Sequence, residues 1–266
     1  MTLLQLAASA LGSRRAVKLG GLAGQALHLL KYGDPWFPQQ VFLEVGAECN
    51  RACGYCPNSS HPQAPAEMSA DVFLAALYSL RALKYRGLVA YHFFNEPTLR
   101  SDLAGLVAAT KSLVPWCHPV LFTNGDKLDL ALASALVRAG LERCTVSRHR
   151  PYSDEWDARV EGVRATHPRV FKVAGLDPAG LSSIGGHSRS RKAQVRRCMA
   201  QTRALLVAHN GDVLLCCCDY RRQHVFGNVL RQTISEVWAG GLSAAARQLR
   251  SGVRPYPVCR ACTGVE

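Results

Sequence analysis

No apolar run in this 266-residue sequence reaches the roughly 18 uncharged positions that a membrane-spanning helix requires. That argues against an integral membrane protein built of helices. The first eleven residues are largely apolar, but the basic residues Arg14, Arg15 and Lys18 follow that run. A secretory signal has the opposite order, so a cytoplasmic location is expected. Leu3, Leu4, Leu6, Leu11, Val17, Leu19, Leu22, Leu27, Leu29 and Leu30 suggest helical segments interrupted at Gly20-Gly21, with peripheral membrane contact as the alternative. Internal repeats and low-complexity tracts are missing too, and 48% hydrophobic residues are enough for a sizeable core. Negative charge is scarce: 19 acidic residues face 32 Lys and Arg, a formal net charge of +13. Such an excess favours anionic partners or substrates. The basic residues are nevertheless dispersed, apart from Arg189, Arg191, Lys192, Arg196 and Arg197, and the aromatic-basic motifs of nucleic-acid readers are absent. A zinc-binding nucleic-acid module is therefore disfavoured, and no nucleic-acid partner is expected.

From residue 40 onward, strand and helix patterns alternate. Gln40 to Val45 is a β-rich run, and Ser69 to Tyr85 has helical periodicity with Ser69 as its N-cap. Leu88 to Phe94 is a buried strand ending at Asn95-Glu96-Pro97. Helix over 102–113, strand over 119–123, helix over 128–139, strand over 143–147, helix over 155–166 and strand over 170–174 follow. This is an α/β pattern with too few units for an eight-fold barrel, so a partial (β/α)6 TIM-like barrel is expected. Asn95-Glu96, Thr123-Asn124 and Ser147 all fall where strands end, the rim on which such folds place their chemistry. The expected division is N-terminal helices over 1–37, the partial barrel over 38–186, and a cysteine-bearing module over 187–266. Gly175 to Arg197, rich in Gly, Ser and basic residues, reads as the connection.

Eleven cysteines are present, and their arrangement carries the chemistry. Cys117 and Cys144 stand alone and read as core residues. Cys49, Cys53 and Cys56 are spaced by four and three residues, so their thiolates can each bind a different iron of one cubane cluster. With no fourth cysteine nearby, one iron is left for an outside ligand. A structural zinc site prefers four ligands in paired knuckles; His61 is the only candidate to complete one here. This segment, with Tyr55 just before the last cysteine, resembles the radical S-adenosylmethionine superfamily and its C-x3-C-x2-C signature. The resemblance implies a [4Fe-4S] cluster on these three cysteines whose open iron chelates S-adenosylmethionine. It also implies reductive cleavage of the sulfonium to a 5′-deoxyadenosyl radical, which abstracts a substrate hydrogen. Phe94-Asn95-Glu96-Pro97 corresponds to the family's Gly-Gly-Glu-Pro-like stretch, with Asn95 in place of a glycine. By the same resemblance Tyr55, Asn95, Glu96, Thr123, Asn124 and Ser147 are expected around S-adenosylmethionine, with His149 near its ribose. The family's later glycine-rich motif is not recognisable around 170–176.

A second set comprises Cys198, Cys216, Cys259 and Cys262. Four thiolates close either a fully ligated cluster or a zinc ribbon. Gly211 to Cys216, followed by Gly227-Asn228-Val229 and Ser235-Glu236-Val237-Trp238, resembles the SPASM/twitch extensions of the same superfamily. The shorter twitch form, with one auxiliary [4Fe-4S] cluster, is expected, because no cysteine follows Cys262. Two clusters would bring the net charge to roughly +10. Cys217 and Cys218 are surplus; they are either packing residues or a thiol that donates hydrogen to a substrate radical. Neighbours on a strand face opposite ways, so at most one of them shares the direction of Cys216. The expected activity is dehydrogenation or epimerisation of a small polar natural-product substrate, an aminocyclitol or sugar. Its rival is cross-linking or epimerisation of a ribosomally made precursor peptide. A flavodoxin or ferredoxin is the expected electron donor.

Overall fold

The computed structural model describes residues 25–149, 151–175, 183–187, 193–200 and 204–264. The apolar N-terminal positions up to Leu22 and the basic residues Arg189, Arg191 and Lys192 lie outside the described residues. The chain divides into two units, residues 1–37 and 38–266. Within the first, residues 25–32 are helical, and Tyr32 stacks on Phe37 with ring centroids 4.8 Å apart.

The second unit is built on an eight-stranded sheet of order β5-β4-β3-β2-β1-β6-β7-β8. The strands are β1 (Gln40–Leu43), β2 (Leu88–Ala90), β3 (His118–Thr123), β4 (Arg143–Arg148), β5 (Phe171–Gly175), β6 (Ala204–Val207), β7 (Asp212–Leu214) and β8 (Val225–Asn228). β1 to β5 are mutually parallel in sequence order, joined by helices α1 (Ala70–Ala82), α2 (Leu103–Leu113), α3 (Leu130–Arg138) and α4 (Asp154–Thr166). Parallel neighbours need such crossovers, and the crossovers cover the sheet. α1 buries Val72, Phe73, Ala76, Leu77 and Leu80, one stripe at helical spacing. Three of the four helices start on a side-chain cap: Ser69 accepts from Val72 N–H, Asp129 from Leu132 N–H and Ser153 from Trp156 N–H. Cys117 and Cys144 are fully buried.

The sheet refines the expected barrel at two points. Six strands are parallel, but the sixth does not follow the fifth: β6 pairs with the free side of β1. β7 and β8 then add an antiparallel hairpin that carries α5 (Ser243–Ser251) behind it. The segment read as an auxiliary module thus shares the sheet of the barrel, and the 186/187 division cuts the chain but not the hydrogen-bonded ladder. β2 is also shorter than the apolar run Leu88 to Phe94. Asn95 Oδ1 accepts from Phe93 N–H at 2.7 Å, and Glu96 N–H donates to Glu48 O at 2.8 Å. These bonds turn the chain off the ladder toward the first cysteine loop.

Candidate active site

The strands β1 to β4 end at one rim, and each loop there delivers part of a single cavity of about 170 Å³. The loop after β1 brings Cys49, Cys53, Tyr55 and Cys56, and the turn after β2 brings Asn95 and Glu96. Thr123 ends β3 and Asn124 follows it, while Ser147 and His149 come from the end of β4. Every residue predicted around the first cysteine set therefore faces the same space.

Glu96 is the buried hinge of this arrangement, only 4% exposed. Its Oε1 accepts from Thr98 N–H at 3.0 Å, Thr98 Oγ1 at 2.6 Å and Thr123 Oγ1 at 2.6 Å; its Oε2 accepts from Asn124 N–H at 2.7 Å. A carboxylate held by that many donors is fixed in orientation before any ligand arrives. Two polar atoms in the cavity wall are buried without a protein partner, His92 Nδ1 and Asn95 Nδ2. An orphaned buried group costs about 1–3 kcal/mol, so the wall is built to meet a polar ligand. Burial also holds His92 down to about 3, which keeps the imidazole neutral between the rings of Phe42 and Phe122.

The cysteine loop is clamped by Arg51, itself part of the cavity lining, a feature that sequence reasoning missed. Arg51 donates from Nε to Asp126 Oδ2 at 2.7 Å and from Nη2 to Oδ1 at 2.5 Å, and its Nη1 reaches the carbonyls of His149 and Pro151. Asn50 donates to the same Asp126 and accepts from Asn124 Nδ2. The loops after β1, β3 and β4 are thereby tied together. The hydrogen bond from Arg51 holds the Asp126 carboxyl below its ordinary value. A carboxyl lowered on folding contributes stability above its unfolded value of about 3.9, and that stability is lost as pH falls through the lowered folded value. Asp126→Asn is expected to cost about 2 kcal/mol near neutral pH, a fall in Tm of roughly 4–8 °C, and to narrow its deficit in acid. Thermal unfolding of both proteins at neutral and acid pH checks this; an equal deficit at both would refute it.

Tyr55 and His149 meet over this loop, with the phenol oxygen in contact with His149 Nδ1 and Cys53 Sγ 3.9 Å from the same nitrogen. Burial pushes the Cys56 thiol up to about 11, and the charges of Cys49 and Cys53 add to it. Such thiols keep their protons until a cationic centre takes their place. The donor set therefore suits a multinuclear metal cluster, with three sulfurs on one loop and polar atoms opposite.

The second cysteine set converges as well. β7 starts at a turn where Gly211 has φ +90°, and a Cβ there would stand 2.9 Å from Asn228 Oδ1. Only glycine meets both demands. β7 ends at Leu214, so Cys216 to Cys218 form a turn and not a strand. Cys198, Cys216, Cys218, Cys259 and Cys262 line one buried cavity, while Cys217 packs against its edge. Backbone N–H groups already point at two sulfurs, Cys218 N–H to Cys216 Sγ at 3.4 Å and Gly264 N–H to Cys262 Sγ at 3.2 Å. Arg254 donates to the carbonyls of Cys259 and Cys262, and Gln194 to those of Arg260 and Cys262. Burial, reinforced by the charge of Cys198, pushes the Cys259 thiol up to about 11. N–H donors on sulfur and buried, mutually repelling thiols fit an iron–sulfur cluster.

Residues 43–172 match the Radical SAM superfamily, and residues 198–263 match SPASM, an iron–sulfur cluster-binding domain. The chain belongs to the radical SAM superfamily. It is an enzyme that uses a [4Fe-4S] cluster and S-adenosylmethionine, with auxiliary iron–sulfur in its SPASM domain. That match decides the choice between zinc and iron left open by four cysteines. The chain is 29% identical over 234 residues to the S-adenosyl-L-methionine-dependent 2-deoxy-scyllo-inosamine dehydrogenase of Niallia circulans, covering 85% of this chain and 92% of that one. The crystal structure of BtrN in complex with AdoMet and 2-DOIA superposes with a TM-score of 0.80 at 26% identity, over 86% of this chain and 94% of BtrN. PqqA peptide cyclase of Xanthomonas oryzae pv. oryzae is 30% identical over 155 residues, 58% of this chain but only 34% of the cyclase. No helix among the described residues is long and apolar enough to cross a membrane.

Proposed function

We propose that this enzyme dehydrogenates a small hydroxylated ring, a cyclitol or sugar of a natural-product pathway. The observation that carries this is the extent of the likeness to the 2-deoxy-scyllo-inosamine dehydrogenase, which covers 85% of this chain and 92% of that protein. The peptide cyclase, by contrast, shares only about a third of its length with this chain. Cys49, Cys53 and Cys56 would hold the catalytic cluster, and Cys198, Cys216, Cys259 and Cys262 the auxiliary one. When bound, these groups supply hydrogen-atom abstraction through S-adenosylmethionine and a site for the electron that dehydrogenation leaves over.

The remaining work falls to the protein. Glu96, pinned by four donors, would orient the ammonium of S-adenosylmethionine, and Asn95 Nδ2 would donate to its polar end. Thr123, Asn124 and Ser147 would line its nucleoside, with Tyr55 and His149 closing the loop side. The aromatic lining of Phe93, Phe94 and Phe122 would keep water from the reacting carbon. In the overall change a carbinol carbon loses one hydrogen atom, its oxygen loses a proton, and one electron leaves to give the ketone. Epimerisation would instead return a hydrogen atom from a thiol, and neither Cys217 nor Cys218 lines the cavity of the first cysteine set. A cytoplasmic setting with a flavodoxin or ferredoxin as reductant suits this chemistry.

The test is anaerobic turnover with ring-deuterated 2-deoxy-scyllo-inosamine and ring-deuterated sugars. Deuterium in 5′-deoxyadenosine, together with a ketone two mass units lighter than the unlabelled alcohol in a parallel unlabelled run, is expected. Transfer only from a labelled peptide would overturn the proposal.

A further inference from the structure

Setting aside the side chains proposed for the cluster and for S-adenosylmethionine, the cavity of the first cysteine set is lined by Arg51, His92, Phe93, Phe94 and Phe122. Arg51 is engaged, with Nε and Nη2 on Asp126 and Nη1 on the carbonyls of His149 and Pro151. Three phenyl rings and one imidazole are left to meet a substrate. The phenyl rings are anchored from behind. Phe93 packs against the buried cluster of Leu206, Ala208 and Leu214, and Phe94 meets Phe93 at 4.4 Å and Tyr220 at 4.9 Å between ring centroids. Phe122 is 42% exposed although it lies within β3, so its ring offers apolar surface to the cavity. Aromatic walls with few polar groups are the usual lining of a small-molecule site.

His92 is the polar group of this wall. Its Nδ1 is buried without a protein partner, and its ring lies 4.9 Å from that of Phe42 and 4.6 Å from that of Phe122. Burial keeps the imidazole neutral, so it has one donating and one accepting nitrogen, either of which a hydroxyl can match. Charged groups find no such match. Glu96, the carboxylate that lines the cavity among the described residues, already accepts from four donors. Strand register puts Lys172 on the same side of the sheet as Phe122 and Thr145, but it does not line the cavity. A phenyl face attracts an ammonium, yet less than the removal of an unpaired ammonium from water costs. A carboxylate on the ring would lose its water for phenyl groups and gain no cation.

We infer that these four side chains are the substrate wall and select an uncharged ring, whose C–H face lies on Phe93, Phe94 and Phe122 while His92 holds one of its hydroxyls. The inference rests on the proposed dehydrogenation of a small ring and narrows its substrate class. It also sets this enzyme apart from a dehydrogenase named for an inosamine, because the ammonium of such a ring has no free carboxylate to meet here.

The test is titration calorimetry on the anaerobically reconstituted full chain with S-adenosylmethionine present, at a pH where amines on the probes are protonated. The probes are glucose, myo-inositol, glucosamine, 2-deoxy-scyllo-inosamine and glucuronate. Glucose or myo-inositol should bind at least about tenfold more tightly than any of the three charged rings. His92→Phe keeps an aromatic ring but loses both nitrogens; it should weaken the uncharged ring at least about tenfold and leave S-adenosylmethionine affinity and unfolding temperature unchanged. Phe122→Glu, at a half-exposed position that tolerates a polar side chain, should turn the preference toward glucosamine. Tighter binding of a charged ring, no binding of either uncharged ring, an equal loss of S-adenosylmethionine affinity in His92→Phe, or the wild-type order kept in Phe122→Glu would each overturn the inference. Its failure is separable from that of the proposed function. Deuterium transfer from 2-deoxy-scyllo-inosamine with tighter binding of that ring would uphold dehydrogenation and overturn the uncharged class, whereas an uncharged ring that binds but yields no deuterium would do the reverse.

Discussion

Replacing Cys49, Cys53 and Cys56 together by alanine should abolish S-adenosylmethionine cleavage, a fall of at least about a thousandfold or roughly 4 kcal/mol. The same variant should fall from about eight irons per chain to about four. The reason is that the three thiols serve one cavity and no described cysteine outside the loop lines it. Cys259→Ala with Cys262→Ala should show the reciprocal result. About four irons remain at the first set and 5′-deoxyadenosine is still made, but the ketone is lost. These cysteines line a separate cavity with Cys198, Cys216 and Cys218, and backbone and Arg254 contacts already organise it. Iron and sulfide analysis with chromatography of 5′-deoxyadenosine reads both variants. Retained cleavage in the first, or loss of all iron from either, would refute two independent sites. Cys216→Ala adds a finer result: Cys218 lines the same cavity and can replace the lost ligand, so this variant should lose less iron than Cys259→Ala.

The parts of this site that were legible in sequence are those in which spacing is itself chemistry. Cysteines four and three residues apart, or the G-x4-C turn at Gly211, state a ligand geometry within a few residues. Strand ends were less legible. Leu88 to Phe94 is apolar throughout, and nothing in that run marks Ala90 as the last paired residue; the turn is made by Asn95 reaching back to Phe93 N–H. The position of β6 beside β1 was also hidden, because an apolar run such as Ala204 to Val207 does not say which open edge it will join. The Arg51–Asp126 clamp spans 75 residues, and within the cysteine motif Arg51 looks like a spacer. Its signal, an acid directly after Asn124-Gly125, has meaning only once the loops are known to share a rim. His92 reads as one more residue of a buried strand until its position between Phe42 and Phe122 is seen.

Glu44→Ala is expected to destabilise the protein by about 3–5 kcal/mol, lowering Tm by roughly 10 °C or more. Glu44 directly follows β1 and is 2% exposed, five residues before the first cysteine. Its Oε2 accepts from Arg222 Nη2 at 2.8 Å, His209 N–H at 3.1 Å and His209 Nδ1 at 3.2 Å, while its own N–H donates to Val207 O. Arg222 belongs to the connection between β7 and β8, holds a φ of +53°, and has a buried Nε with no partner. Without Glu44 that guanidinium keeps its burial but loses its counter-charge, the costly way to break a buried pair. Glu44→Gln, which preserves shape and hydrogen bonding but removes the charge, should lose less than Glu44→Ala. The pair joins the strand that leads into the first cysteine loop to the connection that follows Cys218. Its loss should therefore loosen both cysteine sites together, and iron content should fall at both sets. A variant that unfolds at the wild-type temperature, or loses iron from one set alone, would show that Glu44 and Arg222 do not couple them.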